Sequence, residues 1–388
     1  MIKINRKEEC VGCQACVQIC PKKCISFNHI ISGFIYPHVD STICINCDLC
    51  EKVCPTHNIP EKREEQMKVF AMKNKSDIEV KSSSSGGLFI EIGRYIIQKG
   101  GIVYGVTYAN DFKSAIYKRA TQEQELELFK GSKYVQADLD NVYINIKKDL
   151  KSGALVLFSG TPCCVMALKN FLHKDYKNLF LVDLVCHGVP SPILYNKYIR
   201  FAEERIGCHI SNLTMRDKKY GWRHRLFLSI KTDSQKYIID KAITNVYMEG
   251  FSQNLTLRPS CFECKYSNLN RPGDITIADY WGIEKIYKKF RNTYGVSLYM
   301  SNNIKGDYIF ENIKNKFTFI QTTVENCIQP NLQHPTKRPY HYDTFWRDWE
   351  QLNEDFKSIA EKYLKYKKKE RILYQIKKLI KILLRKDF

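Results

Sequence analysis

Apolar positions recur with a helical period from Leu88 to Gln98, stop at Gly100 and Gly101, and resume as a strand-like run from Ile102 to Val106. Ala154 to Phe158 and Phe180 to Val185 are short apolar runs bounded by turn residues, the pattern of strands buried on both faces. Helical and strand patterns keep alternating from about Met67 to about Pro330, which predicts an α/β domain. At the far end, Ile372, Leu373, Ile376, Leu379, Ile380, Leu383 and Leu384 share one helical face, opposite Lys377, Lys378, Lys381, Arg385 and Lys386. That is a basic amphipathic helix. No apolar run approaches the roughly 20 residues that span a bilayer.

The first 60 residues carry a different signal. Cys10, Cys13, Cys16 and Cys20-Pro21 are repeated 34 positions later as Cys44, Cys47, Cys50 and Cys54-Pro55. This doubled run is the spacing of a bacterial ferredoxin with two 4Fe–4S clusters. Three cysteines on a tight loop take three corners of a cube, and the fourth, on the helix that follows, reaches the other cluster. The expected ligand sets are Cys10, Cys13, Cys16 and Cys54 for one cluster, and Cys44, Cys47, Cys50 and Cys20 for the other. Zinc, which prefers two CxxC pairs, fits two four-cysteine runs followed by proline poorly. Ile25 to Val39 alternates loosely around Gly33 and predicts a small hairpin covering the clusters. Cys24 lies outside the pattern and reads as a small buried residue. Clustered cysteines, and an N-terminal stretch (MIKINRKEEC) without an apolar signal region, lead to the expectation of a reducing cytoplasmic location.

Charge adds one distinction. The chain of 388 residues has a formal net charge of +20. Phe356 to Phe388 holds twelve Lys and Arg against three Asp and Glu, so almost half of the excess is this tail. No nucleic-acid motif accompanies the rest, and no nucleic-acid partner is expected. The tail suits an anionic membrane surface, with peripheral contact through 371–388, and equally a partner subunit or the chain's own core.

In the α/β part, two apolar runs each lead into a loop with a cysteine: Ser159 to Cys163, and Cys186 to Pro190. Loops at strand ends are where α/β folds place their chemistry. With Cys261-x2-Cys264 the count reaches four, enough for a third cluster; half a zinc site or a redox pair has the same spacing. Cys164, Cys208 and Cys327 read as core thiols. Ser82 to Gly87 (SSSSGG) precedes a helix, where free amides favour an anion, although such stretches are more often plain caps.

With these loops in view, the chain resembles the beta subunits of coenzyme F420 hydrogenase/dehydrogenase. The matching stretches are SSSSGGLFIEIGRYIIQKGGIVYGV (82–106), GSKYVQADL (131–139), LFSGTPCCVMALKNFL (157–172), LVDLVCHGVPSP (181–192), MRDKKYGW (215–222) and RPSCFECKYSNLNRPGDITIADYWG (258–282). The resemblance implies FAD, bound with help from Ser84, Ser85, Gly86 and Gly87 and with Lys133 as a partner for flavin or phosphate. It also implies a third 4Fe–4S cluster on Cys163, Cys186, Cys261 and Cys264. The glutamine expected after the GTPC motif is Cys164 here, so two adjacent thiols compete for one ligand position.

The expected architecture is an α+β ferredoxin module (1–60), a linker (61–66), an α/β domain binding FAD and a 4Fe–4S cluster (67–340), and a basic helical tail (341–388). The expected function is an iron–sulfur flavoprotein oxidoreductase moving electrons between clusters and, through FAD, a small-molecule hydride acceptor or donor, F420 or another. A redox partner protein or subunit is implied; the alternative is a non-catalytic electron conduit in a larger complex. No acid–base residue stands out. His187 is a proton-donor candidate that serves as well as a structural histidine, and Arg216, Asp217, Lys218, Trp222 and Arg223 line either an anion pocket or a solvated loop.

Overall fold

The computed structural model describes residues 1–59, 67–219, 221–222, 228–238 and 241–364. The linker expected at 61–66, Arg223 and the amphipathic helix expected over 371–388 lie outside the described residues.

The N-terminal module consists of α1 (Ala15–Ile19), β1 (Ile25–His29), β2 (Ile35–Val39) and α2 (Leu49–Lys52). β1 and β2 pair antiparallel with Ile25 opposite Val39. The turn depends on Gly33, at φ +74°, where a Cβ would lie 2.5 Å from Ile193. The hairpin therefore does not act only as a cover for the cysteines. Its base lines one cysteine group, but its tip is pinned to the larger domain, where Ser191 Oγ donates to the Ser32 carbonyl at 2.5 Å and Trp349 Nε1 to that of Ile31 at 3.1 Å.

The larger domain is built on one sheet. Its strands are β3 (Lys68–Asn74), β4 (Ile102–Tyr108), β5 (Ala115–Ala120), β6 (Ala137–Asp138), β7 (Val156–Gly160) and β8 (Leu179–Leu184), continued by β12 (Ile275–Asp279), β13 (Ser297–Ser301) and β14 (Phe317–Thr322). Between β8 and β12, the strands β9 (Ile210–Thr214), β10 (Ser229–Thr232) and β11 (Tyr237–Ile238) form a separate antiparallel sheet. The large sheet runs β14-β3-β13-β12-β8-β7-β4-β5-β6. Its centre, β4-β7-β8-β12, is parallel, as the buried apolar runs require. The expectation of a plain α/β sheet is corrected at both flanks, where β13, β3 and β14 on one side and β5 on the other pair antiparallel.

Helices cover both faces. Leu88–Gln98 is helical as its apolar period predicts, and Leu88, Ile92 and Ile96 bury against Phe70, Val103 and Phe180. Pro162–Leu172 packs through Val165, Leu168 and Phe171 on Phe158 and Leu181. Residues expected to open a tail at 341 instead belong to the folded body. The helices Tyr342–Gln351 and Phe356–Ile359 bury Phe345, Trp349, Phe356 and Ile359 against Tyr198, Ile199 and Tyr247. Four large apolar side chains in so short a stretch drive burial, and its charged residues are mostly acidic, so the basic part of the chain begins beyond it. Among the described residues no helix is long and apolar enough to cross a membrane.

Candidate functional site

Three groups of cysteines lie on or near the seam between the module and the sheet. The first comprises Cys10, Cys13, Cys16 and Cys54. Burial pushes the Cys13 thiol well up, and the neighbouring thiols of Cys16, Cys54 and Cys10 add to it. Cys16 and Cys54 are pushed up in the same way, again by burial first. This set is roofed by the larger domain: Gln14 Nε2 donates to Asp138 Oδ1 at 2.8 Å, and Gln136 Nε2 to the Val11 carbonyl at 3.1 Å. We call it the inner set.

The second group, the outer set, surrounds a small cavity lined by Cys20, Cys44, Cys47 and Cys50. Ile25 and Val39 of the hairpin close one wall. Cys47 is exposed, and Ile43 and Ile45 beside it are 50% and 56% exposed. A fifth sulfur belongs here. Cys24 is buried as expected, but it lines this cavity with its Sγ 3.4 Å from that of Cys20, and that contact pushes its thiol up to about 11. Its position four residues after Cys20 was the available signal, and the repeat conceals it because Asn58, its counterpart, is not a cysteine.

The third group lines a cavity of about 340 Å³ under the module. Cys163 is the second residue of the helix that follows β7, and Cys186 follows β8, so neighbouring parallel strands deliver them to the same edge. Cys261 and Cys264 come from the turn Pro259–Glu263 and the residue after it. All four line the cavity; Cys164 is buried in the core beside Cys163, and contact with it is the main reason the Cys163 thiol is raised. Burial and the neighbouring Cys261, Cys163 and Cys264 raise the Cys186 thiol, and Cys261 is pushed up to about 12 mainly by burial. Cys327 is a core thiol, whereas Cys208 is half-buried, with its Sγ 3.6 Å from Ser234 Oγ.

Buried thiols such as Cys13, Cys16, Cys163 and Cys186 resist ionising alone and would release their protons on binding iron, which is the chemistry of a cluster site. Among the described residues no three His, Cys, Asp or Glu side chains converge on a single ion. The repeated four-cysteine run of the inner and outer sets is the spacing of a dicluster ferredoxin rather than of mononuclear zinc. Tyr266 stands between the inner and third groups. Its hydroxyl donates to the Pro55 carbonyl, and the thiols of Cys163, Cys13, Cys264 and Cys54 all help to keep it protonated after burial has done most.

The residues expected around a flavin divide. Ser85 and Gly86 are turned into the sheet: Ser85 Oγ donates to the Val296 carbonyl at 2.8 Å, and Gly86 N to Ser297 Oγ at 2.9 Å. A Cβ on Gly86 would lie 2.5 Å from the Met72 carbonyl, so close packing on β3 and β13 explains this glycine without an anion. Ser84 remains outside, 3.0 Å from Ser132 Oγ, and Gly87 caps the helix at φ +80°. Lys133, next to Ser132, gives Nζ protons to the carbonyls of Leu128 and Lys130 and has no carboxylate partner among the described residues; burial lowers it to about 7. Arg216, Lys218 and Trp222 are buried rather than on a solvated loop. Arg216 Nη1 bonds Asp279 at 2.6 Å, and its Nη2 is buried with no hydrogen-bond partner among the described residues. Trp222 stacks on Trp281 at 4.3 Å, while Asp217 is tied to Ser229 of β10. Lys133 and Arg216 thus leave donor capacity for an anionic or carbonyl-rich group; Ser85 and Gly86 do not.

His187 reaches the third cavity but is held at both ring nitrogens, Nε2 2.7 Å from Asn254 Oδ1 and Nδ1 3.3 Å from Asn331 Oδ1. Its ring meets Phe251 edge-on. Those contacts describe a histidine that supports the Cys186 loop.

Comparison with known proteins matches two parts of the chain. Residues 153–325 match the family model for the C terminus of the beta subunit of coenzyme F420 hydrogenase/dehydrogenase, and residues 9–58 match a 4Fe–4S dicluster domain. No curated protein matches the chain. A chain of the F420-reducing NiFe hydrogenase complex from Methanosarcina barkeri, solved in a xenon-derivatised form, is similar at 15% identity and a TM-score of 0.44, covering 76% of this chain and 91% of that one. A likeness of that size carries no weight on its own.

Proposed function

From the premise that this chain belongs to the coenzyme F420 hydrogenase/dehydrogenase beta-subunit family, with a 4Fe–4S dicluster domain at its N-terminal end, we propose a three-cluster flavoprotein oxidoreductase. It exchanges electrons between a protein partner and a small organic hydride carrier. The observation that carries the reading is the line-up of cysteine groups: a four-cysteine cavity at the sheet edge, the inner set across Tyr266, and the outer set at the surface.

In this reading Cys163, Cys186, Cys261 and Cys264 hold the third cluster, with Cys10, Cys13, Cys16 and Cys54 on the inner and Cys20, Cys44, Cys47 and Cys50 on the outer one. Ser84, the amide end of the helix begun by Gly87, Lys133 and Arg216 would hold FAD. When bound, a flavin supplies the exchange between hydride and single electrons. The residues' own contribution is to orient and neutralise. Lys133 would be half charged near its value of about 7, so an anion beside it draws a proton and flavin retention is stronger below about pH 7 than above. Lys133→Met flattens that dependence.

Purification without oxygen, with iron, acid-labile sulfide and flavin counted in one sample, tests the proposal. About twelve irons and one flavin per chain support it. About eight irons without flavin would leave the second reading, an electron conduit within a larger complex, which the exposed rim of Ile43, Ile45 and Cys47 favours. Turnover of F420 or another hydride carrier by the isolated chain, with an artificial electron donor, then separates enzyme from conduit.

A further inference from the structure

The side chain of Arg258 enters the module from the larger domain and is fully buried, at 0% exposure. Its Nε donates to the Cys10 carbonyl at 2.6 Å, and Nη2 to the Ile35 carbonyl at 2.8 Å and the Cys10 Sγ at 3.4 Å. Nη1 donates to Gln136 Oε1 at 3.0 Å. The guanidinium also lies over the rings of Tyr36 and Phe34, 4.7 Å and 5.2 Å from their centroids. Among the described residues no carboxylate pairs with it. A guanidinium cannot shed its charge, and burying it unpaired is costly, so the site is built around an anion that these side chains do not include.

Resting on the reading that the inner set holds a 4Fe–4S cluster, we propose that Arg258 is the counter-cation of that cluster. It positions the Cys10 loop and holds the inner cluster at a higher reduction potential than the outer one. Four thiolates give the cube a net negative charge, and taking up one electron adds another. A buried cation hydrogen-bonded to one of the ligand sulfurs stabilises the reduced form more than the oxidised form. Among the described residues the outer set has no buried cation. Lys22 at its rim is exposed, and the Met1 amino group is paired with Asp48 at 2.6 Å. Its sulfurs meet backbone amides instead, as Ile2 N meets Cys50 Sγ at 3.2 Å and Asn46 N meets Cys44 Sγ at 3.4 Å. The backbone of Arg258 supports the same assignment. Its N–H bonds the Val189 carbonyl and its carbonyl accepts from Cys261 N, so one residue ties the third cysteine group to the inner set.

The test is a redox titration of the anaerobically purified full-length protein, followed by electron paramagnetic resonance, for wild type, Arg258→Lys and Arg258→Gln. With iron content retained, the inner cluster of Arg258→Gln becomes harder to reduce by about tenfold in its reduced-to-oxidised ratio, ~59 mV for a one-electron couple. Arg258→Lys shows a smaller shift of the same sign, and the outer cluster stays where it was. Wild-type protein grown with arginine labelled in heavy nitrogen provides a measurement that needs no variant. The cluster that shifts must show hyperfine coupling to arginine nitrogen in its reduced state. Full iron with no shift, or no arginine coupling at any cluster, overturns the proposal. Wild-type protein without two clusters in the module would overturn the underlying reading instead, and the iron count distinguishes the two.

Discussion

Residues 10–16 and 44–50 are one cysteine pattern used twice, 34 positions apart, and the copies keep the same backbone. Gln14 and Asp48 both cap their helices in the left-handed region, at φ 61° and 56°, and Gly12 and Asn46, two residues earlier, are left-handed as well at 69° and 50°. Their surroundings differ completely. Cys13 is buried and Cys47 is exposed. Gln14 is bonded into the larger domain, whereas Asp48 stands at the surface. Local repetition writes the ligand spacing, and contacts from hundreds of residues away write the environment of each copy. An electron relay needs the second as much as the first, because two equivalent sites would give no preferred order.

The largest expected break in the comparison comes from Cys13→Ala set against Cys47→Ala. Each removes about four irons per chain. Rapid-mixing absorbance should show that Cys13→Ala abolishes electron passage between the third and outer groups, while Cys47→Ala leaves reduction of the third and inner groups intact. Identical defects would mean that the sets are not in series. Next comes Gly12→Ala. The new Cβ would lie 2.4 Å from Gln136 Nε2 and 2.6 Å from Arg258 Nη1, at a φ that alanine resists, so a loss of about 1–3 kcal/mol is expected in unfolding of the iron-loaded protein. Asn46→Gly, the matching change in the outer copy, stays within about 0.5 kcal/mol, because glycine accepts that φ freely.

A finer distinction is Gln14→Ala, which gives up the 2.8 Å bond to Asp138 and should cost about 1 kcal/mol by the same unfolding measurement. The smallest effect belongs to Arg6→Ala. Arg6 pairs with Glu263 across the same seam at 3.0 Å, but both side chains are about half exposed, so solvent and salt already weaken the pair. Its melting temperature and iron content should match wild type. A clear loss would show that surface charge, not the buried Arg258 and Gln14 contacts, holds the module in place.

Much of this was legible along the chain. Cysteine spacing marked the two groups of the module and left the third open until the resemblance drew it together, the buried apolar runs marked β4, β7 and β8, and the period of Leu88 to Gln98 marked its helix. These signals survive because ligand geometry and burial repeat over a few residues. Other features depend on partners distant in sequence. Nothing in RPSCFEC announces that the arginine will bond Cys10, 248 positions earlier. The glycines of SSSSGG have the composition of an anion loop, but β3 and β13 decide the role of Gly86 by filling the space beside it. Between Cys163 and Cys164 spacing could not choose; in the helix that begins at Pro162 the first lines the cavity and the second is buried beside it.

The clasp between Trp349 and the hairpin carbonyl of Ile31 joins positions 318 apart. On a ribosome adding roughly 5–20 residues each second, the last ferredoxin cysteine emerges on the order of ten seconds or more before that tryptophan. Gln136 and Arg258, which cover the inner ligands, also follow the last ferredoxin cysteine, so until they emerge the nascent N-terminal module lacks that cover. Access to the inner ligands is thereby bounded by translation, whereas Cys47 of the outer set stays exposed in the folded chain.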